Sequence, residues 1–290
     1  MAETAQPRLE MNASLPCSNG KSALIWRSAL LWLVSCMACT AQAAESPVVF
    51  VSTDTPPFFS AGLPENGYAG AILHLLSERA GVEYRIEYLP IKRFRSSEAA
   101  YIVGDPELLM THKRKAIFPI ALFNSAIFFY KPHHEVIKYR RVEELGGHTL
   151  GVLRGTVGDM RYLTERGIKV HQSDSVESLL RMLKRGRIDF CILVQATGMQ
   201  AISELFPQEK EQFAQKKIPG GERPIAIVID LDTAGSAQIA KRYGKVLRRT
   251  LAGAEYQKIL DAYWGKGQVP EEFKPKLGSF VEFYASTWEN

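Results

Sequence analysis

Val48-Val-Phe-Val-Ser-Thr-Asp-Thr-Pro-Pro57 is followed by Tyr68-Ala-Gly-Ala-Ile-Leu-His-Leu-Leu-Ser-Glu-Arg-Ala-Gly81 and then by Tyr84-Arg-Ile-Glu-Tyr-Leu89. The first stretch is a short β-branched and aromatic run that ends in a loop stiffened by two prolines, the mark of a buried strand. In the second, apolar residues from Ala71 to Ala80 recur at helical spacing, and Gly81 supplies the stop. The third alternates apolar and polar residues as a half-buried strand does. Strand, helix and strand in this order make a βαβ unit, which implies parallel pairing.

The same grammar returns further along. Thr149–Leu153 reads as a strand, and Arg154–Asp159 as the turn into a helix that runs through Leu163. Lys169–His171 reads as a short strand. Val176–Lys184, with Leu179, Leu180 and Leu183 on one face, reads as an amphipathic helix closed near Gly186. Ile188–Val194 is a continuous apolar strand, Ile225–Ile229 another, and helices are expected at about 234–252 and 255–263. Two βαβ-rich blocks are thus joined through Phe128-Phe-Tyr-Lys-Pro-His-His134, and the chain returns across Gly220-Gly-Glu-Arg-Pro224. The expected divisions are a leader at 1–43, a first lobe at 46–130, a second lobe at 131–224, a return to the first lobe at 225–270 and a C-terminal extension at 271–290. No repeat of solenoid length and no low-complexity segment interrupts them.

Composition is that of a folded globular chain: 290 residues, 46% hydrophobic and 23% charged. The net charge of +5 is spread along the chain, and its densest basic stretches, Lys92–Arg95 and Lys113–Lys115, are short. That argues against nucleic acid as a partner and leaves a mild bias toward anionic ligands. Lys21 and Arg27 precede the apolar run Ser28–Ala38, and Ala41-Gln-Ala43 follows. A positive flank, an apolar run too short to span a bilayer and small residues two apart predict a secretory signal cleaved after Ala43. Leu33-Val-Ser-Cys36 offers the alternative of a lipid anchor at Cys36. With either processing Cys17 is lost; after cleavage at Ala43 only Cys191 survives, so no internal disulfide is expected.

The opening strand leads into Asp54-Thr-Pro-Pro-Phe58, and Gly67-Tyr-Ala-Gly70 precedes the first helix. Pro90-Ile-Lys-Arg93 and Thr111-His-Lys-Arg114-Lys-Ala-Ile-Phe118 follow. Glu144-Leu-Gly-Gly-His-Thr-Leu-Gly-Val-Leu-Arg-Gly-Thr156 opens the second block, and Gly186-Arg-Ile-Asp189 and Ile259-Leu-Asp-Ala-Tyr-Trp-Gly265 complete the series. In this order the motifs resemble those of the type II periplasmic solute-binding proteins, extracellular solute-binding family 3. The likeness covers roughly residues 47 to 268. It implies an α/β, two-lobed type II periplasmic binding protein, each lobe a mainly parallel sheet flanked by helices, with a ligand cleft between the lobes.

The resemblance implies a ligand site drawn from Asp54, Phe58, Tyr68, Gly70, Arg93, Thr111 and Arg114 of the first lobe and Gly155, Thr156 and Gln195 of the second. The chemistry of these residues suits the task. The Gly155–Gly158 turn is expected to present a helix N-terminus, whose free N–H groups and partial positive charge attract anions, and Thr156 adds a hydroxyl. Arg114 carries a planar fork of donors matched to a carboxylate, and its replacement by Ala is expected to abolish or greatly weaken binding while leaving the fold intact. Phe58 or Tyr68 can cover an apolar portion of the ligand. Each feature also has a plain alternative: Gly155-Thr156 as a simple cap, Arg114 as part of a solvated basic run, Pro56–Phe58 as the end of a strand. Ile192-Leu-Val-Gln195 lacks the acidic residue that amino-acid-binding members place there, and Ala71–His74 lacks the one near the first helix. These departures weigh against a standard α-amino acid and favour a carboxylate or other polar compound, although Asp54 still supplies a negative group.

No nucleophile elbow, Walker loop, zinc-protease motif or dinucleotide fingerprint follows the leader, so a binding protein rather than an enzyme is expected, without a cofactor. Cys191 lies in an apolar strand and reads as inert core. His133-His134 lack a nearby ligand cluster, which argues against a metal site. The resemblance leaves a rare catalytic alternative, such as a dehydratase, for which Glu65, Asp105 and His112 are candidates by position. It implies a monomer that serves an inner-membrane ABC-type permease, or a sensor reporting to a membrane partner.

Overall fold

The computed structural model describes residues 46–109, 114–134, 141–157 and 160–289. The expected leader, the acylation site at Cys36, and Thr111 and His112 lie outside these described residues. Strands β1 (Val48–Ser52) and β2 (Tyr84–Tyr88) flank helix α1 (Tyr68–Ala80), as the opening βαβ pattern predicts. Helix α2 (Ile91–Arg95), β3 (Tyr101–Gly104) and the long strand β4 (Lys115–Tyr130) follow. The second block holds β5 (Thr149–Leu153), α3 (Arg161–Thr164), β6 (Lys169–Ser173), α4 (Val176–Lys184), β7 (Phe190–Val194) and α5 (Gln195–Leu205). The chain returns along β8 (Phe213–Asp230) and ends in α6 (Ser236–Leu251), α7 (Ala254–Trp264) and α8 (Phe273–Tyr284).

The eight strands of the described residues join one sheet in the order β2-β1-β3-β8-β4-β7-β5-β6. β1 runs parallel to β2 and β3, and β5 runs parallel to β6 and β7. β4 and β8 pair antiparallel from Lys115–Asp230 to Tyr130–Phe213, with irregularities at Pro119/Ala121 and Asn124/Ala126. These two strands carry the chain between the lobes. Phe118, Ile120 and Leu122 of β4 pack with Phe50, Leu73, Leu76, Tyr243 and Leu260 in the first lobe. From Ala126 onward the side chains alternate between two clusters of the second lobe, Phe128 and Tyr130 with Leu179 and Leu183, Ile127 and Phe129 with Leu150 and Phe190.

The crossing therefore falls between Leu122 and Ala126, earlier than the junction expected at Phe128–His134, because Phe128, Phe129 and Tyr130 are buried strand residues. Their aromatic run was the misleading feature: it continues a strand rather than ending one. The stretch 271–290, expected as an extension, supplies α8, whose Phe273, Leu277 and Val281 join the first-lobe core. α4 forms where its Leu spacing predicts. Ser175 caps it by accepting from the Ser178 N–H at 3.1 Å, and Arg181 and Lys184 occupy its last turn.

Several buried hydroxyls in the first-lobe core are answered: those of Ser77 and Tyr243 meet at 2.7 Å and Tyr256 donates to the Ile120 carbonyl at 2.9 Å. Cys191 is fully buried, and burial pushes its thiol pKa up, as an inert core thiol requires. Among the described residues no helix is long and apolar enough to cross a membrane.

Candidate ligand-binding cleft

Parallel α/β sheets leave their ligand crevice beyond the carboxyl ends of the strands. A cavity of about 680 Å³ lies at that position between the lobes. The first lobe contributes Thr53, Asp54 and Thr55 past β1, and Tyr88 to Lys92 past β2. The second contributes Leu153 and Arg154 past β5, Asp174 to Val176 past β6, and Leu193, Val194 and Thr197 past β7. Its size is that of a small-molecule site.

The cavity is polar. Asp54 and Lys92 are exposed on the first-lobe side, and Arg154 donates from Nε to Asp174 at 2.7 Å on the other. The Thr53 and Thr55 hydroxyls meet at 2.8 Å. Two helices begin at its wall. α4 is capped by Ser175, whereas α5 starts at Gln195 without a side-chain cap, so its first N–H groups stay free for an anion. The Thr197 hydroxyl in the first turn of α5 is buried and has no hydrogen-bond partner.

One residue ties the lobes together. Arg95, at the end of α2, donates from Nη1 to the Gly155 carbonyl at 2.5 Å. Gly155 holds a positive φ of 91°, and a Cβ there would lie 3.6 Å from Ile91 and 3.7 Å from Lys92. The turn therefore lies in ordinary contact with α2, and it is the positive φ rather than lack of space that calls for glycine.

The expected site residues separate in the structure. Asp54 lines the cleft, and Gly155 sits at the Arg95 contact. The Thr156 hydroxyl donates to the Leu153 carbonyl at 2.8 Å, closing its own turn. Gly155 does not open a helix as expected: α3 begins only at Arg161 and is four residues long. Arg114 donates from Nε to Asp232 at 3.0 Å, and its side chain is 77% exposed, away from the cavity wall. Arg93 is exposed on α2. Phe58 and Tyr68 are core residues whose rings stand 6.1 Å apart, and Tyr68 stacks on Tyr263 at 4.4 Å. Burial holds the Tyr68 hydroxyl well above its ordinary pKa, and the neighbouring Trp264 N–H offsets part of that shift, although neither group has a well-formed hydrogen bond. Gly70 has a packing reason, since a Cβ there would lie 2.3 Å from the Glu65 carbonyl oxygen.

Gln195 and Phe58 line a different cavity, of about 510 Å³, beside the crossing strands. Helix periodicity explains the split. On α5 and the residue before it, Val194 and Thr197 face the cleft, while Gln195, Ala196 and Met199 face the second cavity. Sequence reasoning passed over Arg95, Arg154, Asp174 and Thr197. The signal available for the last three was position, since each lies just beyond a strand end.

Asp105 follows β3 and accepts from the Glu107 N–H at 2.9 Å, capping a short 3₁₀ turn. Burial pushes its carboxyl up to about 6, against the pull of Arg223 at 3.8 Å. Glu65 belongs to the loop before α1. Asp189 opens β7 by accepting from the Thr149 N–H at 2.7 Å and holds His134 at 3.1 Å, whereas His133 meets the Lys184 carbonyl. Among the described residues no group of three His, Cys, Asp or Glu is arranged to hold a metal ion.

The architecture is that of solved periplasmic-binding-protein structures. The arginine-, lysine-, histidine-binding protein ArtJ from Geobacillus stearothermophilus is 16% identical with a TM-score of 0.56, over 80% of this chain and 99% of that one. The ligand-binding core of GluR0 in complex with L-glutamate is 12% identical with a TM-score of 0.57, over 78% and 100%. A histidine kinase sensor domain with similarity to periplasmic binding proteins is 20% identical with a TM-score of 0.57, over 76% and 96%. No protein-family model matches the chain, and no curated protein sequence matches it significantly. The fold is thus the two-lobed α/β fold of periplasmic binding proteins.

Proposed function

We propose that this protein binds a small polar solute bearing a carboxylate between its two lobes and delivers it, unchanged, to an ABC-type permease in the membrane. The observation that carries this reading is the cavity at the strand ends, built from both lobes. Its wall holds the uncapped start of α5 and a buried, unpartnered Thr197 hydroxyl. A carboxylate set against the first turn of α5 would accept from free N–H groups and from Thr197. Lys92 and Arg154 add positive charge, and Asp54 is left to meet a donor or cation on the solute's other end. Closure would sequester the solute, and the Arg95 contact to Gly155 is a bond between the lobes that closure can use.

Export to the periplasm, through a signal cleaved after Ala43 or with a lipid anchor at Cys36, agrees with this reading, as does a monomeric protein without a cofactor. A sensor role rests on the same cleft and differs only in the membrane partner, so co-purification with a permease or with a kinase separates the two.

The test is thermal melting of the protein against a panel of small carboxylates and amino acids, with each compound recovered afterwards. A ligand present at about a hundred times its Kd adds about 2.7 kcal/mol of stability. A saturable upward shift with one chemical class, and recovery of that compound intact, is expected. A cooperative melt that no member of the panel moves would sink the proposal, and a chemically altered compound would point to catalysis instead.

A further inference from the structure

The second cavity, of about 510 Å³, has a different chemistry from the cleft. Phe58, Phe123, Tyr263, Trp264 and Phe273 line it from the first lobe, and Met199 and Gln215 from the second. Rings on several sides fit a flat, aromatic ligand, which gains most from stacked and edge contacts. Three atoms of its lining residues are buried without a hydrogen-bond partner: Asn124 Oδ1, beside the irregularity where β4 crosses, Gln215 Oε1 on β8, and Trp264 Nε1, while the Gln215 amide nitrogen already donates to Met199 Sδ at 3.4 Å. The two amide oxygens can only accept and the indole N–H can only donate, so a complementary ligand carries both a donor and an acceptor. The charges at the rim sum to zero: Lys276 donates to Glu222 at 2.8 Å and also feels Glu272, and Lys217 acts on the same Glu222. A net charge on the ligand therefore gains nothing here.

We propose that this chamber binds an uncharged, planar heteroaromatic compound with an amide-like edge, of the nicotinamide or uracil kind, at a site separate from the solute of the cleft. Because both lobes build the walls, its occupant favours the arrangement of lobes seen here and couples to the cleft.

Isothermal titration calorimetry of the full chain with nicotinamide and with uracil tests the site, with acetamide and toluene as ligands that carry only the edge or only the ring. Saturable binding of the heteroaromatics alone is expected. Gln215→Leu should weaken it about tenfold, the scale of one lost buried hydrogen bond. Met199→Trp, at a position 51% exposed, should fill the chamber and abolish binding while the melt stays cooperative. Thr197→Val, on the cleft side of α5, should leave it unchanged. The proposal is overturned if neither heteroaromatic binds, if the controls bind equally well, or if Gln215→Leu and Met199→Trp both retain full affinity. Loss of nicotinamide binding in Thr197→Val would place the compound in the cleft and overturn it too.

Discussion

The two cavities share one turn of helix and differ in almost everything else. In the cleft, Asp54, Lys92, Arg154 and Asp174 are exposed, Arg154 is answered by Asp174, and the buried side-chain atom without a partner is the Thr197 hydroxyl. In the chamber, apolar rings make the walls and the unanswered atoms are two amide oxygens and the indole N–H of Trp264. The difference follows from where each is built. The cleft lies at strand ends, where loops and helix starts collect polar groups that need no partner from the core. The chamber lies along the flank of β4 and β8, where side chains must also pack. Thr197 and Gln195, two residues apart, serve opposite sides because the helix turns about 100° per residue.

The sharpest way to break this division is to move the helix that makes it. Gly198 sits on the third face of α5, and a Cβ there would lie 2.4 Å from the Phe128 ring. Gly198→Leu should force α5 off β4 and cost about 3 kcal/mol, as overpacking of a tight contact does. Thermal melting reads the loss, and ligand titrations should show both cavities impaired. A variant of wild-type stability would mean that α5 is not seated as described.

Asp105 belongs to neither cavity and shows what a buried, poorly compensated charge does. Its carboxyl titrates near 6 in the folded protein and at 3.8 in the unfolded chain, so the native state holds the extra proton between these values. Stability from this group is fully present below pH 4 and falls as the pH rises through 6. Asp105→Asn removes the penalty while keeping an acceptor for the Glu107 N–H. The variant should match wild type at pH 3 and exceed it by about 3 kcal/mol at pH 7, the free energy that a rise from 3.8 to about 6 corresponds to. A wild-type-minus-variant difference that is flat from pH 3 to 7 would show that Asp105 titrates normally.

Within the cleft, Thr197→Val should lower affinity for the solute about fivefold, the effect of losing one hydrogen bond from an unaltered shape, and leave the melting temperature within a degree or two. An unchanged Kd would remove Thr197 from the site.

Much of the fold could be read from the chain because its signals are local. The Leu spacing of Val176–Lys184, the Gly81 stop and the alternation of Tyr84–Tyr88 each describe one element by its own residues. β4 was harder. Its Phe128-Phe-Tyr130 run is buried on both faces and loses the alternation that marks a strand. The site was harder still. Arg95 and Thr197 gain meaning only from the Gly155 carbonyl, 60 positions away, and from a cavity wall, neither of which has a pattern in one dimension. Phe58, Tyr68 and Gly70 had a pattern, but what it encodes is the packing of the loop before α1.

Arg114 carries the smallest expected effect. Its ion pair with Asp232 is at 3.0 Å, yet the side chain is 77% exposed, and exposed pairs contribute below about 1 kcal/mol. Arg114→Ala should scarcely move the melt. If the cleft works with the residues on its wall, solute affinity in this variant also stays near that of wild type, in contrast to Thr197→Val. A loss larger than that of Thr197→Val would reverse the order. The Arg114 guanidinium would then leave Asp232 and reach the solute when it binds, and the ion pair would be the form it takes in the absence of solute. The double variant Arg114→Ala/Asp232→Ala decides which holds: an affinity equal to that of Arg114→Ala alone shows that Asp232 does no more than hold the arginine, whereas a further drop gives Asp232 a contact of its own.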